Sequence, residues 1–84
     1  MNVVLKKSYT KDFVRRGMLV DKRFFSIFQN DKKIGHVEML GLEEIKVYLH
    51  DLSLSHFEAG SIRESIIKNA ESIYYLVRQR TIKC

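Results

Sequence analysis

Few side chains in this chain have the types and spacing that catalysis or metal binding requires. Glu43 and Glu44 are adjacent carboxylates that an extended backbone would point to opposite sides, so they form a poor acid–base pair. The three histidines, His36, His50 and His56, lack the spacing of metal ligands. No serine lies in a nucleophile elbow, and no phosphate loop of the P-loop or dinucleotide type occurs. We therefore predict neither a catalytic residue nor a metal site.

Basic side chains beside aromatic ones are the stronger candidates for binding chemistry. Phe24 and Phe25 follow a run of cations, and Tyr74 and Tyr75 precede another. Proteins hold single-stranded nucleic acid with cations that follow the phosphates and rings that stack on bases. Three interpretations remain open: a protein partner, a nucleic acid, or cations that only solvate the edge of a sheet. The predicted partner-binding residues are Arg15, Arg16, Lys22, Arg23, Lys32, Lys33, Tyr75, Arg78 and Arg80.

The composition predicts one small globular domain over residues 1–84, since 45% of the side chains are hydrophobic and 30% are charged. The net charge is +5, and the N-terminal and C-terminal segments are basic while residues 34–64 are acidic. A surface shared by the two basic segments would attract phosphates or an acidic protein. With no apolar run of roughly 18 residues and no signal-peptide pattern, we expect a cytoplasmic protein without a membrane span. Cys84 has no second cysteine to pair with.

The first two thirds of the chain have the alternation typical of strands. Residues 10–20 fit either a short helix or a hairpin that turns at Gly17, and the glycine favours the hairpin. In the last of these segments the alternation shifts at His50-Asp51, which predicts a bulge there. Tight turns predict antiparallel neighbours. The predicted strands are residues 2–9, 24–28, 34–40 and 44–54.

One long helix is predicted at about residues 61–82. Ser61 and Glu64 form the Ser-x-x-Glu pattern of a capping box. Apolar residues then recur at helical spacing, at Ile62, Ile66, Ala70, Ile73 and Val77. The predicted fold class is therefore α+β: a small antiparallel meander of three to five strands packed against one long C-terminal α-helix.

From Phe24 onward the order of elements resembles the central part of the GNAT acetyltransferase fold: an aromatic strand, a polar turn, an Ile-Gly-x-Val strand, a third strand, then a glycine-containing loop that enters a helix. In that family, backbone N–H groups of an Arg/Gln-x-x-Gly-x-Gly/Ala loop hold the pyrophosphate of acetyl-CoA. The matching stretch here is Phe57-Glu58-Ala59-Gly60-Ser61-Ile62-Arg63. The resemblance implies acetyl-CoA contacts at Gly60, Ser61 and Ile62. It departs from the family at Glu58, where arginine is common, and in having a single glycine.

We predict a small basic binding or regulatory module of phage type, without catalytic activity, that acts on a protein or a protein–nucleic-acid complex. The first alternative is an acetyl-CoA-binding, GNAT-like acyltransferase or its inactive relic. The second is a single-stranded nucleic-acid binding protein. A homodimer that buries exposed aromatic rings is a further expectation.

Overall fold

Within residues 3–84, five antiparallel strands form one sheet and two short helices cover one of its faces. The computed structural model describes these residues except for the side chain of Phe13. The strands are β1 (Val4–Arg15), β2 (Met18–Gln29), β3 (Lys32–Leu40), β4 (Glu44–Leu49) and β5 (Thr81–Lys83). The helices are α1 (His56–Lys68) and α2 (Ala70–Tyr74). The strand order is β4-β3-β2-β1-β5, so the last strand pairs with the outer side of the first.

The hairpin of β1 and β2 extends well beyond the other strands. Its turn is Arg16-Gly17, with φ of 53° and 77°, which is the geometry of the tight turns that join twisted strands. The hairpin alternative for residues 10–20 is thus the one that the structure adopts. From Asp12 to Asp21 the two strands pair only with each other, because β3 reaches β2 no further than Lys22. We call residues 12–21 the arm; the molecule is 41 Å along its longest axis.

Two bulges shift the alternation of side chains. The pairing between β1 and β2 passes from Lys7 to Tyr9, which leaves Ser8 as an extra residue in β1. The pairing between β2 and β3 likewise leaves Ile34 as an extra residue in β3. Because neighbouring residues of a strand point to opposite faces, the Ser8 bulge turns Tyr9 onto the face that carries Phe24.

The core lies between the sheet and the helices. Phe25 and Ile27 on β2 are fully buried, whereas their neighbours Phe24 and Phe28 are only partly buried on the other face. Full burial of an apolar side chain of this size stabilises the fold by about 1.5–3 kcal/mol. The buried hydrophobic residues are Val3, Leu5, Phe25, Ile27, Ile34, Val37, Met39, Ile62, Ile66, Ile73 and Leu76.

The predicted α+β fold with one long C-terminal helix is wrong, because the helical part is two short helices and the chain ends in a strand. α1 also begins earlier than predicted. The Ser55 hydroxyl accepts the Glu58 backbone N–H at 3.1 Å, and the Glu58 carboxylate accepts the Ser55 N–H at 3.3 Å. The capping box is therefore Ser55–Glu58, while Ser61 lies inside the helix.

Asn69 ends α1 and explains why one helix became two. Its backbone has φ −102° and ψ 16°, and its side-chain amide donates to the Ser65 carbonyl at 2.8 Å. An asparagine side chain that bonds to nearby backbone competes with the helical pattern. After the single turn of α2 the chain leaves helical geometry, so Leu76 is buried in place of the predicted Val77.

Two further predictions concern the ends of strands. β4 ends at Leu49, and Leu52 is almost fully exposed, so the predicted bulge at His50-Asp51 is wrong. The predicted start of the first strand at Asn2 lies outside the described residues.

None of the helices in residues 3–84 combines the length and apolar character needed to cross a membrane.

Candidate functional site

The face of the sheet opposite the helices, here called the open face, carries two pairs of stacked rings. Tyr9 on β1 and Phe24 on β2 stack with centroids 4.2 Å apart and planes inclined by 12°. His36 on β3 and Tyr48 on β4 stack at 4.8 Å and 20°. Tyr9 is 50% exposed and Tyr48 is 43% exposed, so both pairs are reachable from solvent. Each pair joins neighbouring strands through cross-strand register.

A shallow cavity of about 340 Å³ lies between the two ring pairs. Phe24 and His36 line it from the two pairs, and the small side chain of Ser26 lies directly across the sheet from His36. Glu38 and Lys33 also line it. We call this cavity the notch. Flat rings on two sides and polar groups between them are the features that hold a planar heteroaromatic ligand.

Glu38 is the carboxylate that lines the notch, and two neighbours contact it. Lys22 Nζ lies 2.6 Å from one of its oxygens, and His36 Nε2 lies 3.2 Å from the other. The hydrogen bond from Lys22 holds the pKa of Glu38 below its ordinary value, and the contact with His36 acts in the same direction. The same pair raises the pKa of Lys22. Glu38 therefore stays ionised, with its charge balanced and its oxygens still able to accept hydrogen bonds.

Other lysines surround the ring pairs. Lys6 lies over the ring of Phe28, with Nζ 5.0 Å from the centroid, and Lys22 lies over Phe24 at 5.5 Å. Lys46 is exposed on β4 directly across from Glu38. Apart from Glu38, the charged side chains around the two ring pairs are therefore mainly positive.

The predicted partner-binding residues divide among several surfaces. Arg15 belongs to the arm, where it forms an ion pair with Glu44 at 2.6 Å, and Arg16 occupies the turn. Lys22 and Lys33 belong to the open face and the notch. Lys32 Nζ lies 3.5 Å from a carboxylate oxygen of Asp51, two residues beyond the end of β4.

Arg23 lies on the helix-covered face and has a structural role. Its guanidinium donates to the Tyr74 carbonyl at 2.5 Å and stacks 3.9 Å from the centre of the Tyr74 ring. Its Nε is buried and without a hydrogen-bond partner among the described residues. The predicted cluster of cations around Phe24 and Phe25 is therefore split, with Lys22 on one face and Arg23 on the other.

The predicted residues near the end of the chain do not line the notch. Arg78 donates to the carbonyl of Ser8 at 3.2 Å and so braces the bulge that orients Tyr9. Tyr75 is exposed and meets Tyr74 edge to face at 5.1 Å. Arg80 is exposed between α2 and β5.

Gly60, Ser61 and Ile62 lie in the second turn of α1 rather than in a loop before it. Backbone N–H groups at these positions belong to the helical hydrogen-bond ladder. The amides at the start of the helix are instead beside the Ser55–Glu58 capping box, where the Glu58 carboxylate is already present. Acetyl-CoA binding at Gly60 stays a prediction.

Sequence reasoning missed three of the four rings that form the stacked pairs beside the notch, namely Tyr9, His36 and Tyr48. The alternation of β4 did place Tyr48 on a polar face, but it did not indicate which strand would lie beside it. Tyr9 reaches the open face only through the Ser8 bulge, for which the sequence carries no clear signal.

Among residues 3–84, no group of three or more His, Cys, Asp or Glu side chains is placed to hold a metal ion. Comparison of the chain with protein-family models, with curated proteins and with solved structures found no match.

Proposed function

We propose that this protein is a non-catalytic binding module that holds single-stranded nucleic acid on the open face of its sheet. The observation that carries the proposal is the notch, where Phe24 and His36 flank a cavity over Ser26 on a face rich in lysines. The proposal takes the nucleic-acid alternative from the sequence and gives it a location that the sequence did not predict.

Stacking supports this choice. A base that enters the notch would meet the Phe24 ring on one side and the His36 ring on the other, with each ring backed by its partner Tyr9 or Tyr48. Stacking on an aromatic side chain contributes about 1–3 kcal/mol per base and tolerates any base. The cavity of about 340 Å³ is within the size range of ligand sites.

Charge supports it as well. Lys6 and Lys46 lie at opposite sides of the ring pairs, and neither forms an ion pair in the part of the chain that the structure describes. Their ammonium groups would contact phosphates on either side of a base in the notch. The Glu38 carboxylate, already balanced by Lys22, would accept a hydrogen bond from a base amino group.

The geometry favours a single strand over a duplex. Bases of a duplex are stacked on each other, and their faces are closed to side chains, whereas unpaired bases can be splayed onto rings. An exposed sheet with rings on its surface is a means by which proteins read single strands.

Fluorescence anisotropy with a labelled oligothymidylate at low salt tests the proposal. We expect saturable binding that weakens steeply as the salt concentration rises. Binding releases the cations that are condensed around the oligonucleotide, and a higher salt concentration opposes that release. Phe24→Ala and His36→Ala should each weaken binding by roughly 5-fold to 150-fold, which corresponds to the loss of one stacking contact. Tyr9→Ala and Tyr48→Ala should weaken binding less, because each removes only the ring that backs Phe24 or His36. Phe57→Ala is the matched control, since Phe57 is an exposed ring on α1, away from the open face.

Two outcomes would overturn the proposal. One is the absence of binding at low salt. The other is equal weakening by Phe57→Ala and Phe24→Ala, which would show that the open face has no special part. A labelled duplex of the same length should bind more weakly than the single strand, and preference for the duplex would also contradict the proposal.

A further inference from the structure

The tip of the arm exposes large apolar side chains that nothing in residues 3–84 covers. Val14, Met18 and Leu19 are 69%, 70% and 72% exposed. They lie on a two-stranded ribbon, which is marginally stable in water unless it packs on something else. Apolar side chains concentrated in this way mark an interaction surface.

A groove of about 630 Å³ runs beside the same arm. Its walls are β2 on one side and the turn that follows β3 on the other, with α2 closing one end. The groove lies where β2 continues past the end of β3, so this edge of β2 has no neighbouring strand. Its apolar lining residues are Met18, Val20, Leu40, Leu42, Tyr74 and Tyr75.

The free edge of β2 presents backbone groups that another strand can pair with. In a hairpin with a two-residue turn, the flanking residues, here Arg15 and Met18, exchange their hydrogen bonds. The next pair, Val14 and Leu19, does not, so the N–H and C=O of Leu19 point away from β1. They point to the free side of β2, because β3 has already ended at Leu40.

Charges on the two walls of the groove are complementary. The tip carries Arg15 and Arg16, and the turn after β3 carries Glu43 and Glu44. Arg15 already pairs with Glu44 of its own chain at 2.6 Å. Arg16 and Glu43 take part in no ion pair within residues 3–84. The tip is thus apolar and basic, and the far wall of the groove is apolar and acidic.

We propose that a second copy of this chain occupies the groove, with the two arms paired antiparallel along their β2 edges and Leu19 opposite Leu19 of the second copy. This arrangement has two-fold symmetry, so each arm tip reaches the groove of the other chain. In this register Arg16 of each chain lies at the end of β3 of the other, where the turn that carries Glu43 begins, and the outward backbone groups of both Leu19 residues are satisfied. The notch shares no lining residue with the groove, so this inference is independent of the proposed function.

Sedimentation equilibrium under reducing conditions tests the dimer. We expect the wild type to be dimeric at about 100 µM, well above the dissociation constant of a micromolar interface. In the two-fold dimer, Arg16→Glu brings two carboxylates together at both equivalent contacts, and Glu43→Arg brings two guanidinium groups together there. Each substitution should therefore weaken self-association by roughly tenfold or more. An equimolar mixture of the two variants should restore the wild-type affinity, because each heterodimer then contains two pairs of opposite charges.

Arg63→Glu and Glu64→Arg on α1 are the matched controls and should leave the dimer unchanged. Leu19→Lys should abolish it without lowering the melting temperature of the monomer, since Leu19 is mostly exposed there. A monomeric wild type would overturn the inference. So would a dimer that resists both charge reversals, or variants that fail to associate when mixed.

Discussion

Gly35 is a position where the sheet has no room for a side chain. It is buried on β3, opposite Leu49 of β4. A Cβ at this position would overlap the carbonyl oxygen of Tyr48 and lie 3.1 Å from the Cα of Leu49. Both obstacles are backbone atoms, which cannot rotate away. Gly35→Ala therefore has to push β4 off β3.

The size of the effect follows from that overlap. Carbon atoms pack best about 3.5–4.0 Å apart, so β4 has to move by on the order of 1 Å. Overpacking costs about 1–3 kcal/mol, and a rigid backbone obstacle places this substitution near the upper end. For a domain of this size, about 3 kcal/mol lowers the melting temperature by roughly 12–24 °C. The His36–Tyr48 stack joins the same two strands, so oligonucleotide binding should fall as well.

Thermal unfolding followed by circular dichroism measures the loss, with Gly60→Ala as the control. Gly60 is exposed inside α1, with open space around it, so alanine should stabilise the helix by about 0.5–1 kcal/mol. If Gly35→Ala melts with the wild type, the close approach of β3 and β4 is refuted. If Gly60→Ala destabilises the protein, the helical placement of residue 60 is refuted.

Four further predictions concern the cap, two carboxylates and acetyl-CoA. Ser55→Ala should cost about 1 kcal/mol in thermal unfolding, because it removes the cap of α1. The pKa of Glu38 is lowered in the fold by Lys22, so its stabilisation is present above about pH 4.3 and is lost as pH falls through the folded pKa. Glu38→Gln should thus destabilise at pH 7 and lose that effect in acid, and an equal effect at all pH values would contradict the ion pair. The pKa of Asp12 is raised by its hydrogen bond and charge contact with Asp21, so two ionised carboxylates at this place are unfavourable. Asp12→Asn should therefore stabilise the protein at pH 7 but not below about pH 3.9, where the carboxyl of Asp12 is protonated in both the folded and the unfolded state. Acetyl-CoA should leave the melting temperature unchanged, and a saturable rise would instead support the GNAT-like alternative.

The strands were the most predictable part of the fold because their signals are local. The aromatic run at residues 24–28 lies inside β2, and Gly17 has the positive φ that its turn requires. Alternation also separates Phe25 in the core from Phe24 on the open face. These features depend on neighbours within a few positions of each other.

The C-terminal part was not predictable from periodicity. Ile62, Ile66 and Ile73 keep helical spacing and are all buried, so the pattern alone is consistent with an unbroken helix. The break comes from the side chain of Asn69 and from the pairing of β5 with β1. That pairing joins residues almost the whole length of the chain apart, and no local pattern reports it.

The candidate site contains the basic and aromatic residue types that the sequence analysis singled out, and Lys22 and Lys33 lie on the open face, but which of these residues bind a partner stays a prediction. The rings of the notch come from four different strands, and their meeting depends on register. Register in turn depends on one-residue bulges, which leave little trace in composition or hydropathy.

The bulge at Ser8 compensates for the number of residues in β1, because Tyr9 comes two residues after Lys7 and regular alternation would turn both to the same face. Deleting Ser8 would place Tyr9 directly after Lys7, so the strand would keep Tyr9 on the open face without a bulge. The Tyr9–Phe24 stack would then remain, and Arg78 would lose the Ser8 carbonyl to which it donates. A relative that is one residue shorter before Tyr9 would therefore present the same ring on its open face, whereas a relative of equal length with unbroken pairing there would turn the ring toward the helices.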